Sequence, residues 1–226
     1  MVLQQVTLES KNKLGSLPGY VTAGDHKTGV IVIQEWWGVN EQIKNLAETW
    51  YGDKFVALVP DLYRGKVATD HEEAGHYFND LDWPGAVQDI QAAVDYLKSK
   101  GVEKIGVTGF CMGGALTIAA SVLVTGLSAA APFYGIPSLE LADPAKAKTP
   151  LQCHFGTKDD LKGFSDPEAQ DKLEKLLKEN NITYEFYRYD GADHAFVNEL
   201  NTAKYNAEYT KQAHGRTVEF FQKYLN

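Results

Sequence analysis

The stretch Lys104-Ile105-Gly106-Val107-Thr108-Gly109-Phe110-Cys111-Met112-Gly113-Gly114-Ala115-Leu116-Thr117-Ile118 decides the fold. Lys104 to Thr108 reads as a short buried strand and Gly113 to Val124 as a helix apolar nearly all round, with a cysteine between them flanked by a glycine two positions away on either side. A strand that turns sharply into a helix at a reactive residue is a nucleophile elbow, here with Cys in place of Ser. The glycines matter because such a turn strains the backbone at the nucleophile and brings chain segments too close for Cβ atoms. The turn also sets Cys111 at a helix N-terminus, where unpaired N–H groups favour a thiolate. The tetrad lacks the spacing of a nucleotide-phosphate loop.

Outward from the elbow, β-rich runs alternate with helical patterns. Strands are predicted at Gly29 to Gln34, Phe55 to Val59, Ala129 to Tyr134, Leu151 to Phe155 and Thr183 to Tyr189. The clearest helix follows Asp82 and Pro84, lines up Val87, Ile90, Val94 and Leu97, and stops at Gly101. Amphipathic helices are predicted at Pro167 to Glu179 and Thr202 to Leu225, and an antiparallel hairpin at Gln4 to Leu8 with Leu17 to Thr22. This alternation implies an α/β fold: a mostly parallel sheet with helices on both faces, in a single domain over residues 1–226.

Composition narrows the function. The chain carries 22 Lys plus Arg against 30 Asp plus Glu, net −8, which argues against nucleic acid and anionic lipid as partners. Ile105 to Leu139 is free of charge, but Gly106, Gly109, Gly113, Gly114, Gly126 and Pro132 break it into strand, helix and strand, so it reads as buried core and not as a membrane span. The N-terminus has no signal-peptide pattern, so a cytoplasmic protein is expected. Cys111 and Cys153 are then thiols. His71, Glu72 and His76 miss the one-face spacing of a metal helix, and no metal site is expected. No oligomeric state follows from the sequence.

A thiol nucleophile needs a base and a group to orient it, and the α/β-hydrolase fold supplies them in the order nucleophile, acid, histidine. Asp159 follows the strand Leu151 to Phe155, with Asp160 as its competitor, and His194 follows the strand Thr183 to Tyr189. Glu35 ends an earlier strand and leads into Trp36-Trp37-Gly38-Val39-Asn40. That loop and the elbow would donate the N–H groups of Trp36 and Met112 to an oxyanion. If Glu35 is buried its pKa should rise, allowing it to share a proton with Cys111 or with water. Trp37, Tyr63, Tyr134 and Phe196 offer an aromatic lining for a flat ester or lactone, and Arg64 is the one arginine that the sequence puts near the rim.

Gln34-Glu35-Trp36-Trp37-Gly38-Val39-Asn40, Pro60-Asp61-Leu62-Tyr63, Gly109-Phe110-Cys111-Met112-Gly113-Gly114, the Gly-x-x-Asp at Gly156 to Asp159 and Gly191-Ala192-Asp193-His194-Ala195-Phe196 together resemble the dienelactone hydrolase (carboxymethylenebutenolidase) family along essentially the whole chain. The resemblance implies the α/β-hydrolase fold, no cofactor, and hydrolysis of a small ester or lactone, with Cys111 as nucleophile, His194 as base, Asp159 as orienter and Glu35 controlling the thiol. One feature departs from the family. Members acting on dienelactone hold its carboxylate with arginines, one in a His-x-Phe-x-Arg run, whereas this chain reads His194-Ala195-Phe196-Val197-Asn198. Asn198 at the substrate end cannot form that charged pair, and Thr69 to Ala74 offers no second arginine. Two rival readings use the same residues: a ligand-binding protein without catalysis, and a redox sensor acting through Cys111.

Overall fold

The computed structural model describes residues 3–226. Its centre is an eight-stranded sheet built from β1 (Leu3–Leu8), β2 (Leu17–Thr22), β3 (Thr28–Ile33), β4 (Val56–Pro60), β5 (Lys104–Phe110), β6 (Ala129–Phe133), β7 (Leu151–Gly156) and β8 (Tyr184–Tyr189). The spatial order is β1-β2-β4-β3-β5-β6-β7-β8. β1 and β2 form the antiparallel hairpin at one edge and β2 joins β4 antiparallel, while β4, β3, β5, β6, β7 and β8 run parallel. Residues of β3, β4, β5, β6 and β7 are almost all buried, as parallel strands covered on both faces must be.

Six helices cover the sheet: α1 (Glu41–Tyr51), α2 (His71–Asn79), α3 (Trp83–Ser99), α4 (Met112–Leu123), α5 (Pro167–Glu179) and α6 (Ala207–Leu225). α3 packs with α4, and α1 with α6. The start of α3 is set by Asp82, whose side chain accepts from Gly85 N–H, with proline in the first turn. The last helix begins at Ala207, later than the sequence pattern suggests, because Asn206 caps it by accepting from Tyr209 N–H. Helices α1 and α2 were not anticipated from the sequence.

The chain leaves β3 for β4 on one side and returns to β5 on the other. Loops after β3 and β5 therefore part at the carboxyl end of the sheet, the place where open α/β sheets bind ligands. Glu35, Cys111, Tyr134, Asp159 and His194 all lie just beyond the carboxyl ends of their strands, so five separate stretches of sequence meet there.

Arg64, expected at the substrate rim, belongs instead to the scaffold. Its guanidinium grips Asp89 of α3 through Nη1 at 2.5 Å and Nη2 at 2.9 Å. Asp89 is fully buried and also accepts from Ser10 Oγ at 2.6 Å and Asn12 Nδ2 at 3.0 Å. A buried carboxylate requires such partners, and this one ties the β1–β2 connection, the loop after β4 and α3 together.

Candidate active site

Cys111 has φ 57° and ψ −116°, a conformation that only a firmly held turn imposes on a residue other than glycine. Its N–H donates to Phe133 O at 3.1 Å, and its carbonyl accepts from Gly114 N at 2.9 Å and Ala115 N at 3.1 Å. Neighbouring backbone crowds in from every side. A Cβ at Gly113 would lie 2.5 Å from Gln34 O, and one on Gly114 would collide with Phe133 O. These glycines let the loops after β3 and β6 close on the elbow.

The imidazole of His194 sits between two groups. Its Nδ1 lies 2.8 Å from Asp159 Oδ2, and Asp159, 2% exposed, uses Oδ1 to accept from Leu161 N. Asp160, the other acid considered, is exposed and makes no contact with the ring's Nδ1. Nε2 of His194 is buried without a hydrogen-bond partner. Burial works against the imidazolium, but the neighbouring Cys111 sulfur and Asp159 carboxylate more than offset it and raise the imidazole to about 10. The arrangement thus favours the protonated imidazolium.

Glu35 is 4% exposed. Its Oε1 accepts from Tyr134 OH at 3.0 Å and its Oε2 from Asn198 Nδ2 at 2.6 Å. Burial pushes its pKa up, and His194 and the two hydrogen bonds pull it back only in part. Both hydrogen bonds found for Glu35 go to these neutral groups, and none goes to Cys111.

Glu35, Trp36, Trp37, Cys111, His194 and Asn198 face one cavity of about 620 Å³. Trp36 N–H and Met112 N–H donate to no backbone acceptor among the described residues. Three of the aromatic residues expected to line the cavity lie behind it. Tyr134 and Phe196 are fully buried with their rings 5.6 Å apart, and Tyr63 is buried with its hydroxyl on Met112 Sδ at 3.2 Å. Tyr134 supports the site indirectly, its ring 5.1 Å from that of His194.

Several residues at the cavity were not anticipated. Ser165 is fully buried with Oγ 3.1 Å from His194 Nδ1, a second oxygen at that nitrogen. His71, Phe78, Phe164, Lys162 and Lys204 line the walls, and neither lysine has an ion-pair partner among the described residues. All are on loops or at helix ends that carry no periodic signal. No cluster of metal-binding side chains occurs among the described residues, and no helix there is long and apolar enough to cross a membrane.

The family model of the dienelactone hydrolase family matches residues 17–225. The chain belongs to that family. As a dienelactone hydrolase family protein it is one of a group of carboxylic ester hydrolases, and its relatives span it almost end to end. The Aquifex pyrophilus protein usf is 34% identical over 209 residues, 87% of this chain and 88% of that protein. Carboxymethylenebutenolidase 1 of Cupriavidus pinatubonensis is 27% identical over 230 residues, 95% and 94% of the two chains. Among solved structures, a dienelactone hydrolase-like promiscuous phosphotriesterase from metagenomic libraries superposes with a TM-score of 0.82 at 19% identity, covering all of both chains. A Pyrococcus furiosus esterase superposes at 0.73 with 15% identity, covering 99% of this chain and 93% of its own. At these identities the two superpositions speak to the fold, which is that of the α/β-hydrolases.

Proposed function

We propose that this family member hydrolyses small carboxylic esters or lactones through a Cys111 thioester, with His194 as acid and base and Asp159 as its orienter. The observation that carries the reading is the His194 ring: Nδ1 is bonded to a buried carboxylate, and Nε2 is buried without a partner beside the sulfur of a strained elbow residue. A nitrogen buried in that state is costly unless a substrate or nucleophile uses it.

In this mechanism Cys111 Sγ attacks the ester carbonyl carbon, forming a C–S bond while the carbonyl oxygen takes up the negative charge and receives the Trp36 and Met112 N–H groups. Collapse breaks the bond to the alcohol oxygen, which leaves with the proton from His194 Nε2. Water then attacks the thioester, giving a proton to His194, and the acid departs as the C–S bond breaks. With the Cys111 sulfur released and the proton back on His194, the cycle closes. Asp159 and Ser165 hold the ring through Nδ1, and Glu35 keeps a protonatable group beside it between Tyr134 and Asn198.

The test is turnover of a neutral aryl acetate and of dienelactone by wild type, Cys111→Ala and His194→Ala, with intact-mass detection of an acyl adduct. Aryl acetate turnover should be lost in both variants, and a wild-type adduct should be absent from Cys111→Ala. Dienelactone should be turned over less well than the neutral ester, since Asn198 replaces an arginine and Lys162 and Lys204 are point charges without a bidentate fork. Wild-type turnover that survives Cys111→Ala, or its complete absence with no adduct, refutes the reading.

A further inference from the structure

The catalytic cavity does not end at its own walls. Phe164 lines it and lies 6.3 Å, ring to ring, from His194, and Phe78 lines it too, 6.2 Å beyond Phe164. The same two rings bound a second hollow of about 490 Å³, where Trp83 is 5.3 Å from Phe78 and Ile136 forms part of the wall. A third hollow of about 520 Å³ shares Ile136 with the second and ends on Leu173 and Leu176 of α5. A trough, apolar over Phe164, Phe78, Trp83 and Ile136, therefore leads from the imidazole side toward α5, where Lys162, Asp166, Glu168 and Lys172 border the third hollow. Leu161 and Leu139 stand on the rim of the trough, 41% and 70% exposed.

The chemistry states which part of a substrate meets this trough. The oxygen that takes the proton from His194 belongs to the alcohol, so the alcohol portion must lie on the imidazole side of the carbonyl. Of the two aromatic rings packed on His194, Tyr134 is buried behind it and Phe164 is the one that faces the cavity. We propose that the substrates are esters whose alcohol portion is an extended apolar group, seated along Phe164, Phe78, Trp83 and Ile136. This inference rests on the hydrolase reading above and adds a substrate class to it.

The experiment measures kcat/KM for methyl, butyl and octyl acetate and for methyl octanoate, in wild type, Ile136→Asp and Ser138→Trp. All acetates share one acetyl-enzyme, so a dependence on the alcohol arises before the thioester forms. Half-burial of each methylene corresponds to about a twofold gain, or roughly a hundredfold from methyl to octyl acetate. Methyl octanoate should show no comparable gain over methyl acetate. Ile136→Asp places a charge in the trough and Ser138→Trp fills it from an exposed position, so both should flatten the alcohol series, and Ser138→Trp should do so with methyl acetate turnover unchanged. A flat wild-type acetate series, a gain that follows the acyl chain instead, or a gain that survives both variants overturns the inference while the hydrolase reading stands. Absence of turnover on every ester, methyl acetate included, overturns both.

Discussion

Replacing Arg64 by Met separates a scaffold role from a substrate role. Asp89 has only 1% of its side chain exposed, and Arg64 supplies two of its four side-chain hydrogen bonds. Removing one partner of a buried pair leaves an uncompensated charge, at a cost of about 3–5 kcal/mol. Two charge-assisted hydrogen bonds at about 1.5–3 kcal/mol each give about 3–6 kcal/mol, which overlaps that range. For a chain of this size about 2–4 °C of Tm is lost per kcal/mol, so Tm should fall by roughly 6–20 °C. Urea unfolding at pH 7 reads the free energy directly, with the m-value unchanged if the native fold is retained. The double variant Arg64→Met with Asp89→Leu should recover much of the loss, since an apolar pair can replace a buried ion pair, less whatever Ser10 and Asn12 lose with their acceptor. Ester kcat/KM per folded molecule should stay within about twofold of wild type, since Arg64 contributes nothing to the cavity wall. A stability loss below about 1 kcal/mol together with a tenfold fall in kcat/KM for an anionic ester would refute this reasoning and return Arg64 to the substrate.

Two further predictions use buried titratable groups. Glu35 has a raised pKa, so the fold favours its protonated form: wild type should lose stability as pH rises from the unfolded value near 4.5 through the raised folded one. Glu35→Gln should match wild type near pH 4, exceed it at pH 7, and show a flatter pH–stability curve by chemical denaturation. Burial pushes the Cys153 thiol well up and it has no exposed surface, whereas Cys111 faces the cavity. Native protein should therefore take up one equivalent of iodoacetamide and lose activity with it, and unfolded protein two; rapid native labelling of Cys153 would contradict the packing around β7.

What the sequence made legible follows from which interactions are local. The six parallel strands and the edge hairpin could be read because buried apolar runs and turn residues sit next to each other in the chain. Asp82 and Pro84 announced α3 in the same way. Helix α1 was missed although its signal is in the sequence: Asn40 caps it, accepting from Ile43 N–H, and Ile43, Leu46, Ala47 and Tyr51 follow at helical spacing. Helix α2 buries only Ala74 and so has almost no apolar stripe to find. In the site, the Cys, Asp and His positions were legible from motif order. The partners of Glu35 were not: Asn198 lies 163 residues away and Tyr134 lies 99 away, and only the sheet order brings them together. The misplacement of Arg64 has the same origin, since its partner is 25 residues on, upon a helix face that sequence spacing does not align.

The elbow itself provides a last test, in which stability and activity should respond differently at two glycines. A Cβ at Gly135 would collide with Cys111 O and lie 2.7 Å from Ala115 N, so Gly135→Ala must displace backbone that already holds Cys111 at positive φ. Overpacking of this kind costs about 1–3 kcal/mol. The larger effect should be on catalysis. The Cys111 carbonyl is anchored by Gly114 and Ala115 N–H, so moving it turns Sγ away from His194 Nε2, and a misplacement of about 1 Å can cost 10²-fold in rate. Gly75 in α2 offers the contrast, with nothing near its Cβ position, and Gly75→Ala should stabilise by up to about 1 kcal/mol through helix propensity and leave kcat/KM unchanged. If Gly135→Ala retains wild-type kcat/KM, the close approach of the loop after β6 at Gly135 does not hold the nucleophile in place.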